Sequence, residues 1–259
     1  MDRNAPIGIF DSGMGGLSVW KELRRLLPNE SIIYLADGKN CPYGDRPHEE
    51  IAALTNAAAE LLLGRGVKLI VIACNTATAM AIEELRSRYP SIPFVGMEPA
   101  VKPAALSTRT GTIGILATRA ALEGGLFRQT SARYAEQVRI LSAVGEGFVE
   151  AVEEGREQSE ETLEMVREAL EPMLAEGADR IVLGCTHYPF LLGAMERVAE
   201  GREVEFVDPS PAVARRVEWL LERDSMRASE GNVAEYDFVT FADEEYLQRV
   251  RQRAGVEQG

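Results

Sequence analysis

The sequence predicts an α/β fold made of two similar α/β domains, each around a mostly parallel central sheet. Three observations carry this. Short β-branched runs alternate with longer segments of helical period all along the chain. Several of those runs are continuously apolar, as strands covered by helices on both faces must be. Finally, Leu69-Ile-Val-Ile-Ala-Cys74-Asn75-Thr76 and Arg180-Ile-Val-Leu-Gly-Cys185-Thr186-His187 are imperfect copies, each an apolar strand ending in a thiol and followed by hydrogen-bonding side chains.

In chain order, Ile7 to Phe10 is the first strand and about 17–27 the first helix. Strands follow at Ile32 to Ala36, Leu69 to Ala73, Phe94 to Met97, Thr112 to Ala117, Val138 to Val144, Arg180 to Gly184, Val204 to Val207 and Tyr236 to Phe241. Helices fill the gaps near 49–64, 77–88, 120–135, 148–175, 189–199, 211–223 and 243–253. Met97-Glu98-Pro99 through Pro103 reads as a crossover between halves and Asp208-Pro209-Ser210-Pro211 as the return. The first domain is therefore expected to be discontinuous, 1–98 plus 208–259, with the second over 99–207.

The chain has 259 residues, 46% hydrophobic and 27% charged, so it belongs with ordinary globular proteins. Acidic residues outnumber Lys plus Arg 41 to 28, for a net charge of −13. That argues against nucleic acid or an anionic membrane as partner. Eleven Glu lie within 146–176 against only Arg156 and Arg167. Because Val152, Leu163, Val166, Leu170, Met173 and Leu174 recur there at helical spacing, most of these Glu belong on a solvated face. The three Cys are an odd number, and the start lacks the pattern of a secretory leader, so reduced thiols in a cytoplasm are expected. No apolar run has the length of a membrane helix.

Asp11-Ser12-Gly13-Met14-Gly15-Gly16 follows the first strand and opens a helix. Its glycines permit a tight turn whose N–H groups face an anion. It fits neither G-x-G-x-x-G nor a P-loop. Its plainer reading is a turn capped by Asp11 or Ser12. Cys74 and Cys185 each end an apolar strand near a helix start, where the helix dipole favours a thiolate. A lone Cys in such a place is usually a small buried hydrophobe. Zinc ligand types are present in Cys74, Cys185, His187 and Asp11, but no C-x-x-C or H-E-x-x-H spacing occurs, so no metal is expected. A Cys beside a His also suits acyl transfer, for which one thiol suffices. Two matched thiols have a more specific use: one removes a proton from a stereocentre while the other delivers a proton to the opposite face. Pro42-Tyr43-Gly44, in the loop after the second strand, is placed to line the same crevice, with Cys41 and His48 incidental beside it.

Taken together, Ile7-Gly-Ile-Phe-Asp11-Ser12-Gly13-Met-Gly15-Gly16-Leu17, Pro42-Tyr43-Gly44, Ala73-Cys74-Asn75-Thr76-Ala77 and Gly184-Cys185-Thr186-His187-Tyr188-Pro189 closely resemble the cofactor-independent aspartate/glutamate racemase family, in register from near residue 7 to about 217. The resemblance implies two similar α/β domains with the active site in the cleft between them. It also implies interconversion of L- and D-glutamate, supplying D-glutamate for peptidoglycan, without pyridoxal phosphate, metal or nucleotide. Carried over residue by residue, it makes Cys74 and Cys185 the acid/base pair, Asp11 the support of Cys74, and His187, assisted by Glu153, the support of Cys185. Asp11, Ser12, Tyr43, Gly44, Asn75, Thr76, Thr186 and His187 would bind the substrate glutamate. A cytoplasmic homodimer is expected. This chain departs from the family where many members read Gly-Asp-Thr and it has Ala36-Asp37-Gly38. It departs again where Gly145-Glu146-Gly147 replaces a frequent Cys-Pro. The alternatives are an aspartate or hydantoin racemase of the same superfamily, a single-Cys acyl-transfer enzyme, and a non-catalytic amino-acid binding protein.

Overall fold

The computed structural model describes residues 2–256, which divide into two compact units. One runs to Met97 and resumes at Ser210; the other is Glu98–Pro209. In the first unit, β1 (Ile7–Asp11), β2 (Ile32–Ala36), β3 (Leu69–Ile72), β4 (Phe94–Gly96) and β9 (Tyr236–Thr240) form one parallel sheet in the order β4-β3-β1-β2-β9. The pairing sets Ile7 opposite Ile32 and Leu69, so alternate side chains of neighbouring strands share a face. Phe10, Ile33, Leu35, Ile70 and Ile72 pack beneath α2 (His48–Gly64) and α3 (Asn75–Arg88). On the other face, Trp20 of α1 (Leu17–Leu26) meets the rings of Tyr236 and Phe238, and α1 also packs on α10 (Ser210–Arg223) and α11 (Glu244–Ala254). The central strands are buried throughout, which is why their sequences read as unbroken apolar runs.

In the second unit, β5 (Thr112–Ala117), β6 (Arg139–Val144), β7 (Arg180–Gly184) and β8 (Glu205–Val207) pair in parallel in the order β6-β5-β7-β8. Ile113, Ile115, Ala117 and Val182 build a core with Val101 and Ala104. All nine expected strands are present, with ends shifted by no more than a residue.

The helices required more correction. The expected helix 120–135 is two helices, α5 (Arg119–Glu123) and α6 (Gly125–Ala132), divided at Gly124, whose extended backbone ends one and begins the other. The expected 148–175 also divides, into α7 (Phe148–Glu153) and α8 (Glu160–Ala175). Gly155 takes a left-handed φ of 72° and Ser159 caps α8 by accepting the Thr162 N–H, so the chain stops and restarts. Leu163, Val166, Leu170, Met173 and Leu174 of α8 are buried, and most Glu of the region are exposed, as the helical spacing requires. The expected 189–199 starts as a 3₁₀ turn, Tyr188–Leu191, before α9 (Leu192–Val198). A helix stands where a crossover was expected: α4 (Val101–Ser107) tolerates Pro103 because a first-turn N–H has no intrahelical acceptor to lose.

Asp243 caps α11 through the Tyr246 N–H, Glu244 and Glu245 occupy its first turn, Arg251 and Arg253 its last, and Gly255 ends it at φ 70°. No helix among the described residues is long and apolar enough to cross a membrane.

Candidate active site

Open parallel sheets place ligands beyond the carboxyl ends of strands where the strand order reverses. In the first unit that point lies between β1 and β3, because β2 stands on the far side of β1. Asp11 ends β1 and Cys74 follows β3 there. In the second unit the reversal lies between β5 and β7, and Cys185 follows β7. Each thiol thus sits at the switch point of its own sheet.

Cys74 is the N-cap of α3, and its Sγ accepts the Ala77 N–H at 3.4 Å. The thiol is therefore at the positive end of a fourteen-residue helix and is 5% exposed. Its backbone is fixed on both sides. Ala73 N–H donates to Phe10 O, and Thr78 Oγ1 donates to Ile72 O while accepting the Met97 N–H. Asp11, fully buried, accepts the Gly13 N–H at 2.9 Å. This is a correction to the capping reading. Asp11 closes a two-residue turn, while α1 begins with Gly16 as its cap and no side-chain cap bond. Gly16 is needed for space, since a Cβ would press on Asp11 Cβ and Ala73 Cβ.

Tyr43 is buried with its hydroxyl donating 2.7 Å to Asp37 Oδ2. Burial, that hydrogen bond, the Asp37 charge, and the charges of Cys74 and Asp11 all push its phenol far above the ordinary tyrosine range. It stays a donor, close enough to feel both Cys74 and Asp11. Ser12 and Thr76 are buried in the same cluster, and Gly44 lies half-buried in the turn after Tyr43. Asn75 is 4% exposed, and neither its Nδ2 nor its Oδ1 has a partner among the described residues. A buried amide left unpaired costs about 1–3 kcal/mol, so a ligand that satisfies it recovers that cost.

In the second unit, Cys185 Sγ lies 3.7 Å from His187 Nδ1, and His187 Nε2 lies 2.6 Å from Glu153 Oε1. Cys185, Thr186 and His187 are buried and Glu153 is mostly so. With the carboxylate accepting Nε2–H, the neutral ring presents a lone pair at Nδ1 to the thiol, a tautomer assigned from this network. Thr186 Oγ1 also lies 3.5 Å from Nδ1. Tyr188, fully buried, donates to Gly145 O at 3.5 Å. Burial first, then the Cys185 charge, holds its phenol protonated. A Cβ at Gly145 would strike that hydroxyl and the Phe148 ring, so glycine leaves both the room they need.

Three neighbours escaped the sequence reading. Tyr34, inside an apolar strand, donates to Gly13 O at 2.8 Å and pins the glycine-rich turn. Asp37 donates its N–H to Asp11 O and receives the Tyr43 hydroxyl and Asn40 Nδ2. Thr118 follows β5 at the second switch point and caps α5. The strand-end rule would have found Asp37 and Thr118, whereas Tyr34 looks like core. His48, by contrast, is exposed and pairs with the Met80 carbonyl.

The chain matches the sequence model of the family described as Asp/Glu/Hydantoin racemase over residues 7–217. It is 47% identical over 255 residues to a protein named glutamate racemase from Herpetosiphon aurantiacus, covering 98% of this chain and all of that one. Among solved structures, glutamate racemase of Bacillus anthracis superposes with a TM-score of 0.88 at 29% identity, covering 97% of this chain and 94% of that chain. Glutamate racemase of Francisella tularensis, solved in complex with D-glutamate, does so at 0.86 and 28%, covering 99% and 96%.

Proposed function

The chain belongs to the Asp/Glu/hydantoin racemase family, and from that premise we propose that it is a glutamate racemase whose two acid/base groups are Cys74 and Cys185. It is an isomerase that interconverts L- and D-glutamate, and the D-glutamate serves peptidoglycan synthesis. The observation that best supports the two-thiol mechanism is the matched placement of Cys74 and Cys185, each just past a strand at the switch point of its own sheet.

In this reading one thiolate takes the Cα proton from one face of the amino acid, and the opposite thiol delivers its own proton to the other face. The thiol and thiolate exchange identities with each turnover, so no net proton is consumed. A thiol of reference pKa near 8.5 is about 3% ionised at pH 7, and holding it as thiolate costs about 2 kcal/mol. At Cys74, the α3 terminus and the Ala77 N–H oppose that cost, with a helix end worth up to about 2 kcal/mol in a buried setting. At Cys185, the proton arriving from Cα is shared between Sγ and His187 Nδ1, and the imidazolium character this gives the ring lies between the sulfur and Glu153. Asp11 supports Cys74 in the corresponding way. Substrate is held by Asn75, Thr76, Ser12, Tyr43, Gly44, Thr186 and His187. The unpaired Asn75 amide can both donate to and accept from a carboxylate-bearing ammonium compound.

General acid–base transfer supplies about 10²–10⁴ of rate, so donors around the developing carbanion must supply the rest. The reading includes a homodimer in a reducing cytoplasm, where free thiols persist. In D₂O, each glutamate enantiomer should gain deuterium at Cα as it racemises. Binding of glutamate with no Cα exchange would instead make the protein an amino-acid binder, and faster turnover of aspartate would make it the sister enzyme.

A further inference from the structure

Gly38 follows Asp37 in the loop after β2, and its backbone needs no left-handed φ. Its requirement is space. A Cβ there would fall inside the ring of Tyr246, against Cζ, Cε1 and Cε2. Tyr246 lies in the first turn of α11 and is 6% exposed. It is fixed from behind. Its N–H donates to Asp243 Oδ1 at 2.9 Å, and the Arg249 guanidinium sits 5.3 Å from the ring centroid. The same C-terminal segment grips the other side of Asp37. Thr240 Oγ1, at the end of β9, donates 2.8 Å to Ala36 O and accepts the Ala242 N–H. Asp37 is thereby held between Ala36 and Gly38, and its carboxylate holds Asn40 and the Tyr43 hydroxyl.

The geometry points to Tyr246 as a positioning residue of the racemase. Its ring against Gly38, with the Thr240 bond to Ala36, fixes the carboxylate that aims Tyr43. Its effect on kinetics rests on the racemase reading above; its effect on the loop does not. The chemistry reached is substrate orientation, so loosening the loop should act mainly on KM. Misplacement of a positioning group by a fraction of an ångström is worth about tenfold or more.

The test uses the full-length enzyme with Tyr246→Phe, Tyr246→Ala, Tyr246→Leu, Gly38→Thr and the double variant Gly38→Thr/Tyr246→Ala. Glutamate racemisation and amide hydrogen exchange over 38–46 are both read. Tyr246→Phe keeps the ring and should stay within about twofold of the parent. Tyr246→Ala should raise KM about tenfold with kcat within about threefold, and should speed exchange over 38–46 while the interior strands keep their protection. If Tyr246→Ala does not fold, Tyr246→Leu should show the same pattern. Gly38→Thr alone should lose about a hundredfold or more in kcat/KM, and removing the Tyr246 ring should relieve the clash and bring the loss back to the roughly tenfold of Tyr246→Ala alone. Unchanged KM and unchanged exchange in both ring-deleted variants would overturn the proposal, as would a double variant no better than Gly38→Thr. If the parent shows no Cα exchange with glutamate while the 38–46 amides still respond to ring deletion, the racemase reading falls and the positioning role stands.

Discussion

Replacing Glu153 by Gln keeps the shape of the His187 partner and removes its charge. The bond at stake runs 2.6 Å from Glu153 Oε1 to His187 Nε2 with both groups largely out of water. Hydrogen bonds to charged groups contribute about 1.5–3 kcal/mol. The Gln amide oxygen still accepts a neutral bond worth about 0.5–1.5 kcal/mol, so the charge itself contributes about 1–1.5 kcal/mol, and at 1.36 kcal/mol per tenfold its loss where His187 must carry a proton slows that step roughly 5- to 13-fold. The enantiomers have equal free energy in water, so the equilibrium constant is unity and kcat/KM must fall equally in both directions. The asymmetry lies elsewhere. Only the proton transfer at Cys185 is slowed, so the primary deuterium effect on kcat/KM should rise for the enantiomer deprotonated by Cys185. It should fall for the enantiomer deprotonated by Cys74, whose Cα–H cleavage becomes less rate-limiting. The assay is circular dichroism of glutamate starting from each pure enantiomer, protiated or deuterated at Cα. Activity within twofold of the parent, or isotope effects that move together, would refute the assignment of Glu153 to one thiol only.

Other expectations follow from the same geometry. Cys74→Ala and Cys185→Ala should each cost about 10³-fold or more in racemisation in both directions, measured by polarimetry, and full activity in either would end the two-base scheme. Asn75→Ala should raise KM for glutamate about tenfold without lowering the thermal midpoint, because it deletes two buried polar atoms that have no partner among the described residues. Asp179 is buried, which by itself raises its pKa, but Thr108, the Arg109 and Thr110 N–H groups, and Arg180 together hold its carboxyl below the usual range. The resulting stability is complete above the unfolded value near 3.9 and is lost as pH falls through the lower folded value. The urea midpoint should therefore drop on acidification below about pH 4, and Asp179→Asn should be less stable at neutral pH, by about 1.5–3 kcal/mol, with a flatter acid limb.

The sheets were legible because their chemistry is local and redundant. A run such as Ile32 to Ala36 has only one way to bury every side chain, and it does so. Helix breaks were less legible because they depend on single residues: Gly124 and Gly155 sit inside segments whose apolar spacing continues across them. Pro103 misled in the opposite sense, since proline forbids a helix interior and not a first turn. Within the site, Cys74, Asn75, Cys185 and His187 could be read from adjacency to a strand end. The role of Tyr34 could not, for a tyrosine in an apolar strand shows its hydroxyl partner only when the Gly13 carbonyl is placed above it. Tyr246 was less visible still, because its contact with Gly38 joins segments far apart in sequence.

The discontinuity of the first unit also governs the order in which the molecule can be made. Glu98–Pro209 is complete in itself, whereas β2 waits for β9, a partner encoded near the far end of the chain. At about 5–20 residues per second, β9 leaves the ribosome roughly 8–33 s after β3. Until then β2 is an uncovered apolar edge, open to pairing with another nascent chain. The buried Lys68 ammonium is likewise incomplete. It already has Glu30 and the Arg3 carbonyl, but the Met226 carbonyl and the Ala228 N–H that finish this ion pair come late. Synthesis therefore leaves the sheet that carries Cys74 to be closed last, after the unit that carries Cys185 has had time to fold.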